Sequence, residues 1–270
     1  MNKFCVLMAV YWRDDPELLD IALQSVYDNT IRPDEVILVQ DGEVGEDISA
    51  VVSKFVGLYG LRVLALSVNS GLAKALNFGL KHISHDFVFR ADADDYNMPN
   101  RFAMQLPLLQ AGYDLVGGSI VEVDRDGNEI ALRVPPCTEV DIRRFLPKRN
   151  PFNHMTVAFR RSAVGDGYPD VHLKEDYALW ATMIARGTKA INMSDVLVRA
   201  TAGREMYRRR GGLRYVRSEL DMQKLLVSLK LQTLLMAAAV GSARSAVFLL
   251  PSAIRGFIYE RFLRNRINKG

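Results

Sequence analysis

Four apolar runs without helical period, Phe4–Tyr11, Val36–Gln40, Leu61–Leu66 and Phe87–Arg90, alternate with three stretches of helical pattern. Runs this short and this uniformly apolar suit strands covered on both faces, and a helix between each pair returns the chain in the same direction. Asp15-Pro16-Glu17 starts the first helix, which runs to about Asn29; the second spans Asp47–Leu58 and the third Gly71–Ile83. The pattern predicts a parallel, doubly wound α/β sheet whose functional loops gather at the carboxyl ends of the strands. Polar residues sit at those ends: Trp12 to Asp15, Asp41 to Glu43, Asn69-Ser70 and Asp92 to Asp95.

After Leu115 the pattern changes. Val116–Val123 and Glu129–Val134 flank an Asp126-Gly127 turn and read as an antiparallel hairpin, so the sheet becomes mixed. A short helix at Val140–Phe145, a strand at Thr156–Phe159 and a helix at Asp176–Arg186 follow. Beyond Arg204 the chain reads as helical and basic, then apolar to Leu250, then basic again. The expected organisation is an α/β part over 1–205, with halves of about 1–115 and 116–205, and a helical region over 206–270.

With 49% hydrophobic and 24% charged residues, the composition is that of a globular protein. The two cysteines, Cys5 and Cys137, give neither a disulfide framework nor metal-ligand spacing, which suits a reducing compartment. No signal peptide is read at the N-terminus, so the expected location is cytoplasmic.

Five features carry chemistry. The strand Phe87–Arg90 runs into three carboxylates in four residues, Asp92, Asp94 and Asp95, with Ala93 between. Clustered acids repel one another unless a cation or donors compensate, and Mg²⁺ or Mn²⁺ holding a diphosphate is such a compensator; a solvated acidic turn before a helix is the alternative. Asp41, at the tip of its strand before Gly42, is placed to meet a ribose or base edge. The helix start Asn69-Ser70-Gly71-Leu72-Ala73-Lys74 offers backbone N–H groups and Lys74 to a phosphate. Glu175-Asp176 opens a helix with Trp180 one turn on, a general base beside a sugar-stacking ring or else helix-start acids with a core tryptophan. His154, in the loop Asn150-Pro151-Phe152-Asn153-His154, is expected to face the same cleft.

This ordered set resembles the bacterial family-2 glycosyltransferases of surface-polysaccharide synthesis, over Phe4 to roughly Tyr215. The motifs that carry it are the Val10-Tyr11-Trp12 strand end, Gln40-Asp41-Gly42, Asn69-Ser70-Gly71-Leu72, Asp92-Ala93-Asp94-Asp95 with Pro99, Asn153-His154, Glu175-Asp176 with Trp180, and Arg208-Arg209-Arg210-Gly211-Gly212. The resemblance implies a GT-A fold, a nucleotide-sugar donor, UDP-linked by default, and inverting transfer of a hexose or N-acetylhexosamine assisted by Mn²⁺ or Mg²⁺. It implies that Ala9, Val10, Tyr11 and Asp41 hold the nucleoside, with Asn69 and Lys74 on the donor side. Asp92 would contact ribose or sugar, Asp94 the metal, and Asp176 would be the base with Glu175 beside it. His154, Trp180, Arg209 and Arg210 fall on the acceptor side.

The stretch Leu225–Leu250 is interrupted by Lys230 and Arg244, too soon for a membrane span. Flanked by arginines, it reads as helices on an anionic membrane surface, or as a cap on the catalytic part or a homo-oligomer interface. Surface contact suits the saccharide acceptors of the resembled enzymes, which are commonly polyprenyl-diphosphate-linked. Three rival readings differ in kind: a sugar nucleotidyltransferase, which needs a glycine-rich loop where Tyr11-Trp12-Arg13-Asp14-Asp15 stands; a catalytically inactive adaptor of the same fold; and a nucleic-acid binder, against which the acidic cleft argues.

Overall fold

The computed structural model describes residues 3–201, 211–252, 254–255 and 265–266. Its first half follows the predicted alternation: β1 (Phe4–Val10), α1 (Pro16–Tyr27), β2 (Glu35–Asp41), α2 (Glu46–Tyr59), β3 (Arg62–Leu66), α3 (Leu72–Lys81) and β4 (Phe87–Arg90). β1 pairs in parallel with β2 on one side and β4 on the other, and β2 with β3. Side chains alternate across the sheet, so Cys5, Leu7, Ile37 and Val39 feed one core while Phe4, Val6, Met8, Val36 and Leu38 feed the other. Burial on both faces is why these strands read as continuous apolar runs. The strand order reverses between β1 and β4, so their carboxyl-end loops flank the crevice where such sheets place ligands.

A two-residue strand, β5 (Tyr96–Asn97), and α4 (Arg101–Gln110) lead to the predicted hairpin β6 (Leu115–Val123) and β7 (Glu129–Arg133), which is antiparallel. Gly127 in its turn has φ of 79°, where a side chain would be strained. After α5 (Glu139–Phe145), β8 (Ala158–Arg160) inserts between β4 and β6, antiparallel to both. α6 (Arg161–Val164) and α7 (Glu175–Ala185) precede β9 (Ala190–Thr201), which the sequence reading missed. It runs parallel beside β6 from Leu115↔Ala190 to Val123↔Thr201, with irregular register near Gly118 and Ser119. Asn192, Ser194, Asp195 and Arg199 break its apolar pattern, and partnership with β6 supplies what local propensity does not.

The expected single stretch Leu225–Leu250 is divided. α8 (Leu213–Ser228) and α9 (Leu234–Leu249) are separated by a turn in which Lys230 has φ of 58°. Met222 and Leu226 of α8 enter the same core as α7. A short strand, β10 (Asn265–Arg266), pairs antiparallel with β7.

Candidate active site

β4 delivers Arg90 into the interior, 1% exposed, directly beneath the acidic turn. Its guanidinium donates to Asp92 Oδ1, and its Nε donates to His154 Nε2 at 2.9 Å. Arginine can only donate, so His154 Nε2 carries no proton and its Nδ1 does. Burial, then the charge of Arg90, holds His154 below the ordinary histidine range, consistent with that neutral ring. Burial drives the Asp92 carboxyl upward, but the Arg90 guanidinium, with Arg101 further off, outweighs it and holds Asp92 below its ordinary value. Arg101, fully buried, donates to the Arg90 carbonyl at 2.7 Å and to Gln105 Oε1 at 3.1 Å. Burial, then Arg90, lowers it to about 9.

Asp94 projects from the turn, while Ala93 is buried beside it. Desolvation in the cleft, then the charges of Asp92 and Asp14, push Asp94 up to about 7. Asp14, in the loop after β1, accepts from the Tyr11 N–H at 2.9 Å and is raised to about 6 by desolvation, with Asp92 adding to the rise. These acids are short of positive charge, which is the condition a divalent cation relieves; the oxygen donors of Asp94, Asp92 and Asp14 fit Mn²⁺ or Mg²⁺ by type. Asp95 is different. It is buried, Oδ1 accepts from the Thr201 N–H at 2.9 Å, and Thr201 Oγ1 donates to the Asp94 carbonyl at 2.6 Å. Burial, then Asp92 and Asp94, raise its carboxyl well above the ordinary range. Asp95 thus fastens the end of β9 to the acidic turn, a role the sequence did not reveal.

Asp41 is 4% exposed, and both its oxygens are engaged, Oδ1 by the Ser70 N–H at 2.6 Å and Oδ2 by the Gly71 N–H at 2.8 Å. Asn69 Nδ2 donates to the Asp41 carbonyl at 3.2 Å. This narrows the expected phosphate cradle, since two N–H groups at the start of α3 are spent on Asp41. A Cβ on Gly42 would lie 2.6 Å from the Asn69 nitrogen, so only glycine lets the two loops meet. At the end of β1, Ala9 is half-buried, the Val10 side chain lies in the core and Tyr11 is exposed, so Val10 can offer a nucleoside only its backbone. Lys74 is exposed on the first turn of α3.

Glu175 and Asp176 open α7, where the unpaired N–H groups favour negative charge. Asp176 Oδ2 accepts from Asn150 Nδ2 at 2.7 Å. Glu175 is half-buried, raised by desolvation and then, among its neighbours, by Asp176, and its Oε2 has no hydrogen-bond partner among the described residues. His154 and the buried Tyr168, whose ring centroids are 5.9 Å apart, feel the charges of both Asp92 and Asp176, so both acids approach this pair of rings. The expected sugar-stacking role of Trp180 is overturned. Its ring is fully buried, 5.9 Å from Phe152 and 6.2 Å from Phe159 between centroids, and has no face left for a sugar. Arg209 and Arg210 lie outside the described residues.

The sequence reading left Arg90, Asp14, Asn150 and Tyr168 without roles. Asp14 had a signal, an acid in the loop after β1; the others are brought in by packing alone. Among the described residues, the ligand atoms of Cys5, Glu35 and His85 lie within 4.8 Å of one another, at the opposite end of the strands, where Glu35 is paired with Arg62 at 2.8 Å.

Known proteins resemble this arrangement. The family described as "Glycosyl transferase family 2" matches residues 5–167. The amylovoran biosynthesis glycosyltransferase AmsE of Erwinia amylovora is 36% identical, covering 96% of this chain and 98% of its own. A UDP-Gal:alpha-D-GlcNAc-diphosphoundecaprenol beta-1,3-galactosyltransferase of Escherichia coli is 36% identical, covering 97% of each. Among solved structures, the mannosyltransferase PcManGT of Pyrobaculum calidifontis, in complex with GDP-Man and Mn2+, superposes with a TM-score of 0.64 at 19% identity over 94% of this chain and 78% of that one. That likeness carries the fold, a GT-A-type mixed sheet flanked by helices.

Proposed function

Because the chain belongs to glycosyl transferase family 2, we propose that it moves a hexose or N-acetylhexosamine from a UDP-sugar to a polyprenyl-diphosphate-linked saccharide, inverting the anomeric carbon. The supporting observation is that two separately held acids approach His154 and Tyr168: Asp92, bonded to the Arg90 that also donates to His154, and Asp176 at the start of α7, held by Asn150. The relative that uses UDP-Gal and a diphosphoundecaprenol-linked acceptor supports the substrate classes.

In this reading Asp92, kept ionised by Arg90, holds the ribose or donor sugar, while Ala9, Val10 and Tyr11 receive the nucleoside against the loop that Asp41 fixes. Asp94 is the metal ligand. Mn²⁺ or Mg²⁺ bound there supplies positive charge against the diphosphate as the sugar departs. Asp176 removes the proton from the attacking acceptor hydroxyl, a contribution typically worth ~10² to 10⁴ in rate. Glu175 borders the acceptor, and the same proposal assigns 1–205 to catalysis, donor-side to about 115, and 206–270 to a helical region.

The acceptor chemistry also calls for a lipid surface. No helix among the described residues is long and apolar enough to cross a membrane. α8 and α9 nonetheless present exposed Leu213, Leu220, Leu234, Leu235 and Leu249, which with neighbouring arginines suit peripheral contact with anionic lipid. Sedimentation with phosphatidylglycerol vesicles, lost in high salt, is the expected result; equal binding to neutral vesicles contradicts the electrostatic part.

The test of the activity is a donor panel. The full chain is incubated with Mn²⁺, α-N-acetylglucosaminyl-diphosphoundecaprenol and UDP-galactose, UDP-glucose or UDP-N-acetylglucosamine. Acceptor-dependent UDP release with one of them, abolished by chelation, is expected. No release with any of them, alongside measurable UDP binding, would favour an inactive adaptor of the same fold.

A further inference from the structure

The start of α7 is gripped by the C-terminal helices. Glu219 of α8 is fully buried; its Oε2 accepts from Lys174 Nζ at 2.6 Å and lies 3.0 Å from Arg244 Nε, and its Oε1 accepts from Gln223 Nε2 at 2.7 Å. Lys174 is the N-cap of α7, immediately before Glu175 and Asp176. One residue earlier, Leu173 has φ of 64°, a left-handed conformation that a leucine adopts only when its surroundings hold it there. The same turn is pinned from α8 by Ser218 Oγ, which donates to the His172 carbonyl at 2.5 Å.

A second arm leaves the same carboxylate. Arg244 of α9, besides meeting Glu219, donates through a guanidinium nitrogen to the Lys148 carbonyl at 2.9 Å. Two residues on, Asn150 donates to Asp176 Oδ2 at 2.7 Å. Both arms therefore begin at Glu219 and end at Asp176, one through the backbone that carries it and one through the side chain that orients its carboxylate.

A buried ion cluster is a poor choice for stability alone, because desolvation offsets much of the Coulomb attraction and apolar replacements of similar volume often serve as well. What it supplies is direction: a fully hydrogen-bonded carboxylate fixes the groups around it in one arrangement. We infer that Glu219 and Arg244 are positioning residues for the transfer reaction, holding the Lys174 turn and the 148–150 loop so that Asp176 keeps its orientation. The inference rests on Asp176 being the base.

The informative variant is Glu219→Leu combined with Lys174→Met, which removes the pair without leaving a lone buried charge; the Arg244 side chain, 29% exposed, can turn to solvent. The full-length variant is expected to melt cooperatively and to bind UDP within twofold of wild type. Its kcat for transfer to α-N-acetylglucosaminyl-diphosphoundecaprenol, with whichever UDP-sugar of the panel turns over, should fall roughly 10- to 100-fold while the donor KM stays put, as misplacement of a reacting group does. In an Asp176→Asn background the same pair of changes should cost nothing further. Wild-type kcat in the folded variant, or an equal fractional loss in both backgrounds, overturns the inference. Full turnover in Asp176→Asn alone overturns the base assignment, and is a separate result. Should the double variant fail to fold, Arg244→Met breaks the second arm with Lys174–Glu219 intact; a fall in kcat at unchanged UDP affinity supports the inference, and unchanged kcat overturns it.

Discussion

Asp92 and Asp94 stand at the end of a strand buried on both faces, whereas Glu175 and Asp176 stand at the start of a helix reached through loops. The donor-side acids are fixed from below by Arg90 and Arg101 and from the side by Thr201, all on or beside the sheet. Asp176, the proposed base, is fixed by Asn150 and, through Lys174, by a helix more than forty residues further along the chain. The first site is built into the scaffold. The second is assembled around it, so its geometry is expected to be disturbed more easily than that of the sheet.

The largest effect that sharpens this contrast is expected from Asp94→Ala, which should lower both UDP-sugar affinity in Mn²⁺ and turnover, the latter by at least about 10²-fold, since it would strip the proposed metal site. Retained affinity measured by calorimetry would move the ligand role to Asp92 or Asp14. Next, Arg90→Met leaves Asp92 without its counter-charge and His154 Nε2 without its donor; a loss of about 3–5 kcal/mol in denaturant unfolding is expected, as for other broken buried pairs. A loss below about 1 kcal/mol would show that the donor site is not scaffold-bound. Trp180→Ala should cost about 3–5 kcal/mol by opening a cavity. Trp180→Phe, which keeps most of the ring volume, should leave the acceptor KM unchanged; a raised KM would restore the stacking role.

The smallest effect is a pH dependence to which Asp14 and Asp94 contribute. Asp14 at about 6 and Asp94 at about 7 bind protons more tightly folded than unfolded. Their contribution to stability is therefore full in acid, below the ordinary carboxylate range, and is lost progressively as pH rises from there until it has passed about 6 to 7. Metal-free protein should lose melting temperature across that interval, and Mn²⁺, which prefers the ionised carboxylates, should restore it most at the alkaline end. Asp14→Asn with Asp94→Asn should flatten the slope; an unchanged slope places its source elsewhere.

The contrast also explains what could be read in advance. Asp92 to Asp95 follow a strand whose apolar run is unmistakable, so motif and location are contiguous in sequence, and β1 to β4 were legible for the same reason. β9 was not, because Asn192, Asp195 and Arg199 interrupt its pattern and only pairing with β6 makes it a strand. Glu175-Asp176 was visible as helix-start acids, but Trp180 one turn on was misread. Spacing on a helix gives the face a ring occupies, not whether Phe152 and Phe159 cover it. Asn150, Lys174 and Glu219 were silent, since nothing local distinguishes a buried clamp from surface charge.

The division of labour between the two acid sites is tested most directly by Asp176→Asn, with UDP-sugar affinity and acceptor-dependent transfer measured on the same preparation. Affinity within about twofold of wild type with transfer reduced by ~10² or more is the expected result. Full transfer, or donor affinity lost in step with it, contradicts the account.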